Sequence, residues 1–288
     1  MSFNTIALVG RPNSPGLIEH LLDLAAHLSD QGFHPVIDDE SADGVRLDFP
    51  TISRQYLGEA ADVVVVLGGD GTMLSLGREI APYGKPLIGI NQGRLGFMTD
   101  IPLQNMKDGV LKVLRGEHQQ EERILLEGSV IRERKVVFSG LALNDVVFSR
   151  GTMGSMIEFE VFVDNQFVYS QRSDGLIIST PTGSTAYSLA SGGPILHPTL
   201  QALALVPICP QSMSNRPIVI NDTSTVEYML TRGQNPLVHF DGHAYFTIHE
   251  LDRVVIRRYK HSLKILHPLS YNYYDTLRHK LHWGERLI

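Results

Sequence analysis

The run Val63-Val64-Val65-Val66-Leu67-Gly68-Gly69-Asp70-Gly71-Thr72-Met73-Leu74 decides the fold. Its opening apolar stretch, mostly β-branched, reads as a strand buried on both faces of a parallel sheet. Glycines around a single carboxylate follow, and a helix pattern starts at once. Glycine permits a tight turn and lets a phosphate approach main-chain N–H groups with no Cβ in the way. The helix N-terminus adds unpaired donors and the positive end of its dipole. In open α/β sheets, ligands bind at the carboxyl ends of strands. The spacing is neither the dinucleotide fingerprint nor a P-loop, since no Gly-Lys-Ser/Thr follows, and this disfavours a Rossmann dehydrogenase. Three readings of Asp70 stay open: a proton acceptor, a contact to a metal bridging phosphates, or the N-cap of a tight strand–helix turn.

Outward from this run the chain alternates strand and helix. Thr5–Val9 is a strand ending in the turn Gly10-Arg11-Pro12-Asn13, and Pro15-Gly16 opens a helix with apolar Leu17, Leu21, Leu24 and Leu28. Gly32 stops that helix. Pro35–Ile37 and Leu87–Asn91 are further strands, separated by a polar loop over Asp38–Asp48 and a short helix near Ile52–Ala60. Together these predict a Rossmann-like, doubly wound α/β domain over residues 1–118.

After the helix at Leu103–Gly116 the period falls to two. Ile157, Phe159, Val161 and Val163 alternate with Glu158, Glu160 and Phe162, then Asp164-Asn165 supplies a hairpin turn. Short strand-like runs recur at Val136–Leu143, Leu176–Ser179, Ile218–Ile220, Thr225–Leu230, Leu237–Phe240, Tyr245–Ile248, Val254–Arg257 and Leu263–Leu266. They predict a β-sandwich over 119–270, with a helical tail at 271–288 returning to the first domain.

Composition narrows the class. The 288 residues carry 25 Lys+Arg against 31 Asp+Glu, which argues against a nucleic-acid partner. Residues 1–100 hold six basic and 13 acidic side chains, so the excess negative charge lies in the α/β half. The single cysteine excludes a disulfide framework and a Cys-built metal cage, and Cys209 reads as a small buried apolar residue. No leader-type N-terminus and no 18-residue apolar run is present, so a cytoplasmic protein without membrane contact is expected. His239 with His243, and His279 with His282, could share element faces, but further ligands are missing and no zinc site is expected. Arg253, Arg257, Arg258, Lys260 and Lys264 read as a solvated strand edge or an interface rim.

Two further segments carry chemistry. Asp174–Ser179 leads into Thr180-Pro181-Thr182-Gly183-Ser184-Thr185-Ala186-Tyr187-Ser188, then Leu189-Ala190-Ser191-Gly192-Gly193-Pro194. This stretch offers neutral hydrogen-bond partners and an aromatic face for a base or sugar; a Ser/Thr-rich surface loop is the plainer alternative. It holds no G-x-S-x-G, so a serine hydrolase is not supported. In Leu143-Asn144-Asp145-Val146-Val147 a polar pair interrupts an apolar strand. Asn and Asp together can hold ribose hydroxyls; a strand edge satisfied locally is the alternative.

With these segments and Gly89-Ile90-Asn91-Gln92-Gly93-Arg94-Leu95-Gly96-Phe97, the chain resembles the bacterial NAD kinase family from Ile6 to the C-terminal helix. The glycine loop alone is shared with diacylglycerol, sphingosine and 6-phosphofructo-kinases. The resemblance implies phosphorylation of the adenosine ribose 2′-hydroxyl of NAD, with ATP as donor and Mg²⁺ or Mn²⁺ as cation, in a homodimer or homotetramer. It makes Asp70 the general base and the loop of Gly68, Gly69, Gly71 and Thr72 the phosphate segment. Asn91 falls in a substrate-side string, and Asn144 and Asp145 match the ribose and adenosine pair. Arg172 and Asp174 match positions near the substrate, Thr185, Ala186, Tyr187 and Ala190 match the adenine-side wall, and Thr182 and Ser188 are further candidate nucleotide-binding residues. His243 ends a downstream substrate loop, and no side chain is assigned as a metal ligand.

The chain also departs from the pattern. Asp145 stands where many relatives carry the longer Glu, Ser155 where a basic residue is frequent, and Gln211-Ser212 where a His-containing version is common. A lipid or sphingoid-base kinase would need an apolar acceptor pocket, which the hydroxyl-rich stretch does not suggest. A non-catalytic nucleotide sensor is disfavoured by the intact Asp70.

Overall fold

The computed structural model describes residues 3–11, 14, 16–42, 47–151 and 155–284. Pro12 and Asn13 of the expected first turn, Pro15 of the expected helix start, residues 43–46 of the polar loop and 285–288 of the tail lie outside the described residues. The chain forms two units, one from 1–122 with 263–288, the other from 123–262.

In the first unit, strands β1 (Thr5–Gly10), β2 (His34–Asp38), β3 (Thr51–Ile52), β4 (Val63–Leu67), β5 (Pro86–Asn91), β6 (Ile101–Pro102) and β7 (His118–Arg123) occur in chain order. Helices α1 (Leu17–Asp30), α2 (Asp39–Ala42), α3 (Leu57–Ala60), α4 (Asp70–Ile80) and α5 (Met106–Leu114) alternate with them. The Asp38–Asp48 stretch, expected as a loop, holds α2, where Ser41 Oγ donates to Asp38 Oδ2 at 2.7 Å and accepts the Gly10 N–H at 2.8 Å. Leu21, Leu24, Ala25 and Leu28 of α1 pack with Ile6, Leu8, Val63 and Val65 of the sheet. All five residues of β4 are buried, because the strand lies between β1 and β5.

In the second unit the strands are β8 (Leu126–Arg132), β9 (Lys135–Ala142), β10 (Asp145–Ser149), β11 (Ile157–Val163), β12 (Gln166–Ser173), β13 (Gly175–Ser179), β14 (Ala202–Ile208), β15 (Ile218–Asn221), β16 (Val226–Arg232), β17 (Leu237–Phe240), β18 (Ala244–Thr247) and β19 (Arg253–Arg258). They form two antiparallel sheets, β15-β14-β13-β10-β17-β18 and β12-β11-β16-β19-β8-β9. The sheets face each other through Phe148, Leu176, Leu205 and Phe240 on one side and Phe159, Tyr228, Leu230 and Ile256 on the other. Phe148 stacks on Tyr228 with ring centroids 3.8 Å apart. The reverse face of the first sheet is also covered, since Val147, Ile177, Ala204 and Val206 pack with Leu196. Burial on both faces explains why β10, β13 and β14 read as continuous apolar runs while β11 alternates. The β11–β12 hairpin turns at Asp164 and Asn165, with φ of 51° and 64°, the left-handed pair that a two-residue turn needs. The short helix α6 (Tyr187–Ala190) follows the hydroxyl-rich segment.

One strand departs from the expected division. β20 (Leu263–Pro268), read with the sandwich, pairs in parallel with β5, and the first unit's sheet runs β3-β2-β1-β4-β5-β20-β7. The helix α7 (Tyr273–Leu281) also belongs to this unit. Asn272 caps it, its Oδ1 accepting the N–H of Tyr274 at 2.9 Å. Cys209, expected to be buried, is exposed just past β14 with φ 45°, where the chain reverses. His243 sits in the turn between β17 and β18, and His282 in a left-handed C-cap, so neither shares the expected face. Three of the expected edge cations are ion-paired: Arg253 with Glu227, Arg257 with Glu127 and Arg258 with Asp222. Among the described residues no helix is long and apolar enough to cross a membrane.

Candidate active site

At the end of β4, the Gly68 N–H donates to Ile90 O at 3.0 Å and Gly69 O accepts the N–H groups of Thr72 (3.0 Å) and Met73 (3.2 Å), which opens α4 immediately. A Cβ on Gly68 would lie 2.6 Å from Thr72 Oγ1, so the turn closes this tightly only with glycine. Beside Gly69 and Gly71 the space is open. These two residues line a cavity of about 510 Å³ together with Thr72, Ser75, Arg11 and Arg54. Arg54 is held by Glu40 at 2.7 Å and Glu79 at 3.5 Å. Two guanidinium groups, two hydroxyls and a helix N-terminus converge here, a donor set suited to phosphate oxygens. Sequence reasoning missed Arg11 and Arg54; they follow β1 and β3, and only the parallel order of the sheet brings them to the glycine turn.

Asp70 is the first residue of α4, and its side chain does not cap that helix. Its carboxylate reaches the 91–99 loop instead. Oδ2 accepts the Phe97 N–H and Oδ1 the Met98 N–H, each at 3.0 Å, and Lys280 Nζ of α7 lies 3.1 Å from Oδ2. Asn91 folds this loop: its Oδ1 accepts the Gly93 N–H and its Nδ2 donates to Thr99 O, both at 3.2 Å. The Asn91 side chain is thus engaged within the loop. A Cβ on Gly96 would collide with the Asp70 carboxylate and the Thr99 hydroxyl, so the loop reaches Asp70 only because residue 96 is glycine. The N-cap alternative for Asp70 is thereby set aside, and Lys280 is a third residue missed from sequence.

The second unit holds its own pocket, of about 440 Å³, with Asn144, Asp145, Ser149, His239 and Asp241 as polar lining and Val147, Ala186 and Tyr187 as apolar wall. Asp241 pins the strand entrance, its carboxylate accepting the N–H groups of Leu143 (2.9 Å), Asn144 (2.7 Å) and Asp145 (3.1 Å). Burial, and after it the charge of Asp241, push the Asp145 carboxyl up to about 7. Burial also holds the His239 imidazole below its usual value; its Nε2 is 3.2 Å from Ser149 Oγ. An amide, an imidazole, a carboxyl near its midpoint and an aromatic wall suit neutral hydroxyls and a heteroaromatic ring. Sequence reasoning had Asn144, Asp145, Ala186 and Tyr187 as site residues but not Ser149, two pleats on from Asp145 along β10, or His239, which β17 brings in by pairing with β10.

The hydroxyl-rich segment proves to hold itself together. Thr180 Oγ1 donates to Leu143 O at 2.6 Å, Ser184 Oγ to Pro181 O at 2.6 Å, and Thr185 Oγ1 to Thr182 O at 3.4 Å. The Leu196 N–H donates back to Ser184 Oγ at 3.0 Å. Buried Thr182 receives an Arg123 N–H at 3.3 Å, and Ser188 is fully buried. Only Tyr187, 47% exposed, keeps a large free face. Ala190 and His243 are exposed, as is Ser155. Asp174 pairs with Arg150 at 2.9 Å, and Arg172 with Glu158 at 3.9 Å.

An α/β unit with an anion-binding glycine turn, in one chain with a β-sandwich carrying a nucleoside-sized pocket, defines a nucleotide-dependent phosphotransferase. Residues 6–118 match the ATP-NAD kinase N-terminal domain and residues 143–267 the ATP-NAD kinase C-terminal domain. The chain is 64% identical over 287 residues to the NAD kinase of Chromobacterium violaceum and 52% over 296 residues to that of Neisseria gonorrhoeae, covering 99% of each chain. The chain belongs to the NAD kinase family. Its fold is that of yeast NADH kinase complexed with NADH, with TM-score 0.91 at 22% identity over 100% of this chain and 90% of that one. The fold of the Archaeoglobus fulgidus NAD kinase in complex with ATP matches at TM-score 0.72 and 23% identity, over 92% and 94%.

Proposed function

We propose that this chain transfers the γ-phosphoryl group of ATP to the 2′-hydroxyl of the adenosine ribose of NAD, giving NADP and ADP. The observation that carries the reading is Asp70, fixed by two peptide N–H groups at the start of the helix whose first turn lines the phosphate cavity. Asp70 takes the hydroxyl proton as the 2′-oxygen bonds to the γ-phosphorus. The bond from that phosphorus to the β,γ-bridging oxygen breaks, and its electron pair leaves with ADP. Such transfers depend on positioning and charge stabilisation more than on covalent chemistry. Arg11, Arg54 and the α4 N-terminus would take the donor's phosphates, and Asn144, Asp145 and Tyr187 the nucleoside of NAD.

The divalent cation, Mg²⁺ or Mn²⁺, is part of the donor substrate. Mg²⁺ keeps several waters and is bound through substrate phosphates with few carboxylates, and the phosphate cavity presents cationic and hydroxyl groups around the glycines. The family resemblance supports a cytoplasmic homodimer or homotetramer. The assay is formation of NADP, detected with an NADP-specific dehydrogenase, from purified protein, NAD, ATP and Mg²⁺, with polyphosphate and NADH substituted in turn. Absence of NADP with every donor would refute the proposal.

A further inference from the structure

The helix α7 contributes more than packing to the first unit. It buries Tyr273, Thr276 and Leu277, and its penultimate residue, Lys280, reaches the glycine turn 210 positions earlier in the chain. Lys280 Nζ lies 3.1 Å from Asp70 Oδ2 and 4.9 Å from the centroid of the Phe97 ring. Phe97 therefore acts twice, giving its N–H to Asp70 and its π-face to the ammonium that shares the same carboxylate.

A carboxylate offers about four lone-pair directions, two per oxygen. On Asp70 the Phe97 N–H and Lys280 occupy Oδ2, while Oδ1 accepts only the Met98 N–H among the bonds observed. Oδ1 also packs against Gly96, where a Cβ would collide with it, so the carboxylate is fixed by the 91–99 loop on one oxygen and by loop and Lys280 on the other. The pair is a weak candidate for a stability device. The two side chains are 29% and 27% exposed, and ion pairs that open to water contribute little to folding.

We infer that Lys280 is a positioning residue for phosphoryl transfer, holding the Asp70 carboxylate in the orientation from which it takes the acceptor's proton. This rests on the reading of Asp70 as general base. Lys280 acts through Asp70 and is assigned no contact with either substrate.

The test is a double-mutant cycle in the full-length protein, crossing Lys280→Met and Lys280→Arg with Asp70→Asn. Alone, Lys280→Met should lower kcat by about 10- to 100-fold, the range for losing one charge-assisted hydrogen bond. Both KM values should stay within about two-fold, and thermal unfolding should be unchanged. Lys280→Arg should recover most of the turnover, because the guanidinium can still donate to Oδ2. On the Asp70→Asn background, Lys280→Met should change kcat by less than about two-fold, since residues that act as a unit are not additive. An equal loss in both backgrounds, a rise confined to the KM for ATP, or an unchanged kcat would each overturn the inference. Near-normal turnover of Asp70→Asn alone would remove the general base itself, and that failure is read from the single variant independently of Lys280.

Discussion

Asp145→Asn isolates one buried group and gives a pH-dependent result that simple packing cannot mimic. The carboxyl is 5% exposed, and burial with the Asp241 charge moves it from an ordinary 3.8 up to about 7. A raised acid works against folding once it must ionise. Between pH 4 and 7 the folded chain retains a proton that the unfolded chain has released, so stability falls as pH rises through that window. Each pH unit of the gap corresponds to about 1.4 kcal/mol. The full penalty, reached above pH 7, is therefore about 4 kcal/mol for a carboxyl moved from 3.8 to about 7. Asparagine has nearly the same shape and no ionisation, so the variant should gain stability over the parent. That gain should grow by about 3 kcal/mol between pH 5 and pH 7.5 and then level off. The assay is urea unfolding of both proteins without ligand across pH 5–8.5; urea, being uncharged, leaves the carboxylate interaction unscreened. A difference independent of pH would show that Asp145 is ionised throughout and would refute the burial argument. The predicted gain also bears on function, because a residue that lowers stability at neutral pH while lining a pocket fits selection for binding.

Other outcomes follow from the same geometry. Asp70→Asn should lower kcat by about 10²- to 10⁴-fold with NAD affinity within a few-fold, measured by steady-state kinetics and NAD titration. Gly96→Ala should lower turnover by at least about 10-fold, because its Cβ displaces the Asp70 carboxylate; a crystal structure of the variant should show that carboxylate moved. Arg11→Ala should raise the KM for ATP by about 10-fold and leave that for NAD within two-fold, which kinetics with each substrate varied will check. Chelation by EDTA should abolish NADP formation, and added Mg²⁺ should restore it, as the proposal that the donor's cation neutralises its phosphate charge requires.

Much of this architecture was legible because its signals are local. Val63–Leu67 followed by glycines gave the strand, the turn and the helix start in one stretch, and the alternation of Ile157–Val163 gave a half-buried strand. What stayed hidden depends on which strand pairs with which. Leu263–Pro268 looks like any short strand, and nothing in its period says that it crosses back to lie beside β5. The same holds for Asp241, whose carboxylate pins Leu143–Asp145 from about a hundred residues away, and for Lys280 at Asp70. The Thr180–Thr185 hydroxyls misled in another way. Composition shows that donors and acceptors are present but not whether the backbone takes them, and here the loop takes most of them itself. Cys209 belongs to the type of residue usually buried, yet it falls where a strand ends and the chain reverses, which leaves it at the surface.

The most direct test of the central claim follows the phosphoryl group itself. ATP carrying radioactive phosphorus at the γ position is incubated with enzyme, Mg²⁺ and either NAD, an analogue lacking only the adenosine 2′-hydroxyl, or one lacking only the adenosine 3′-hydroxyl. Transfer of label to NAD and to the 3′-deoxy analogue, with none to the 2′-deoxy analogue, is the predicted result. Label on the 2′-deoxy analogue, or no label on NAD, would contradict it.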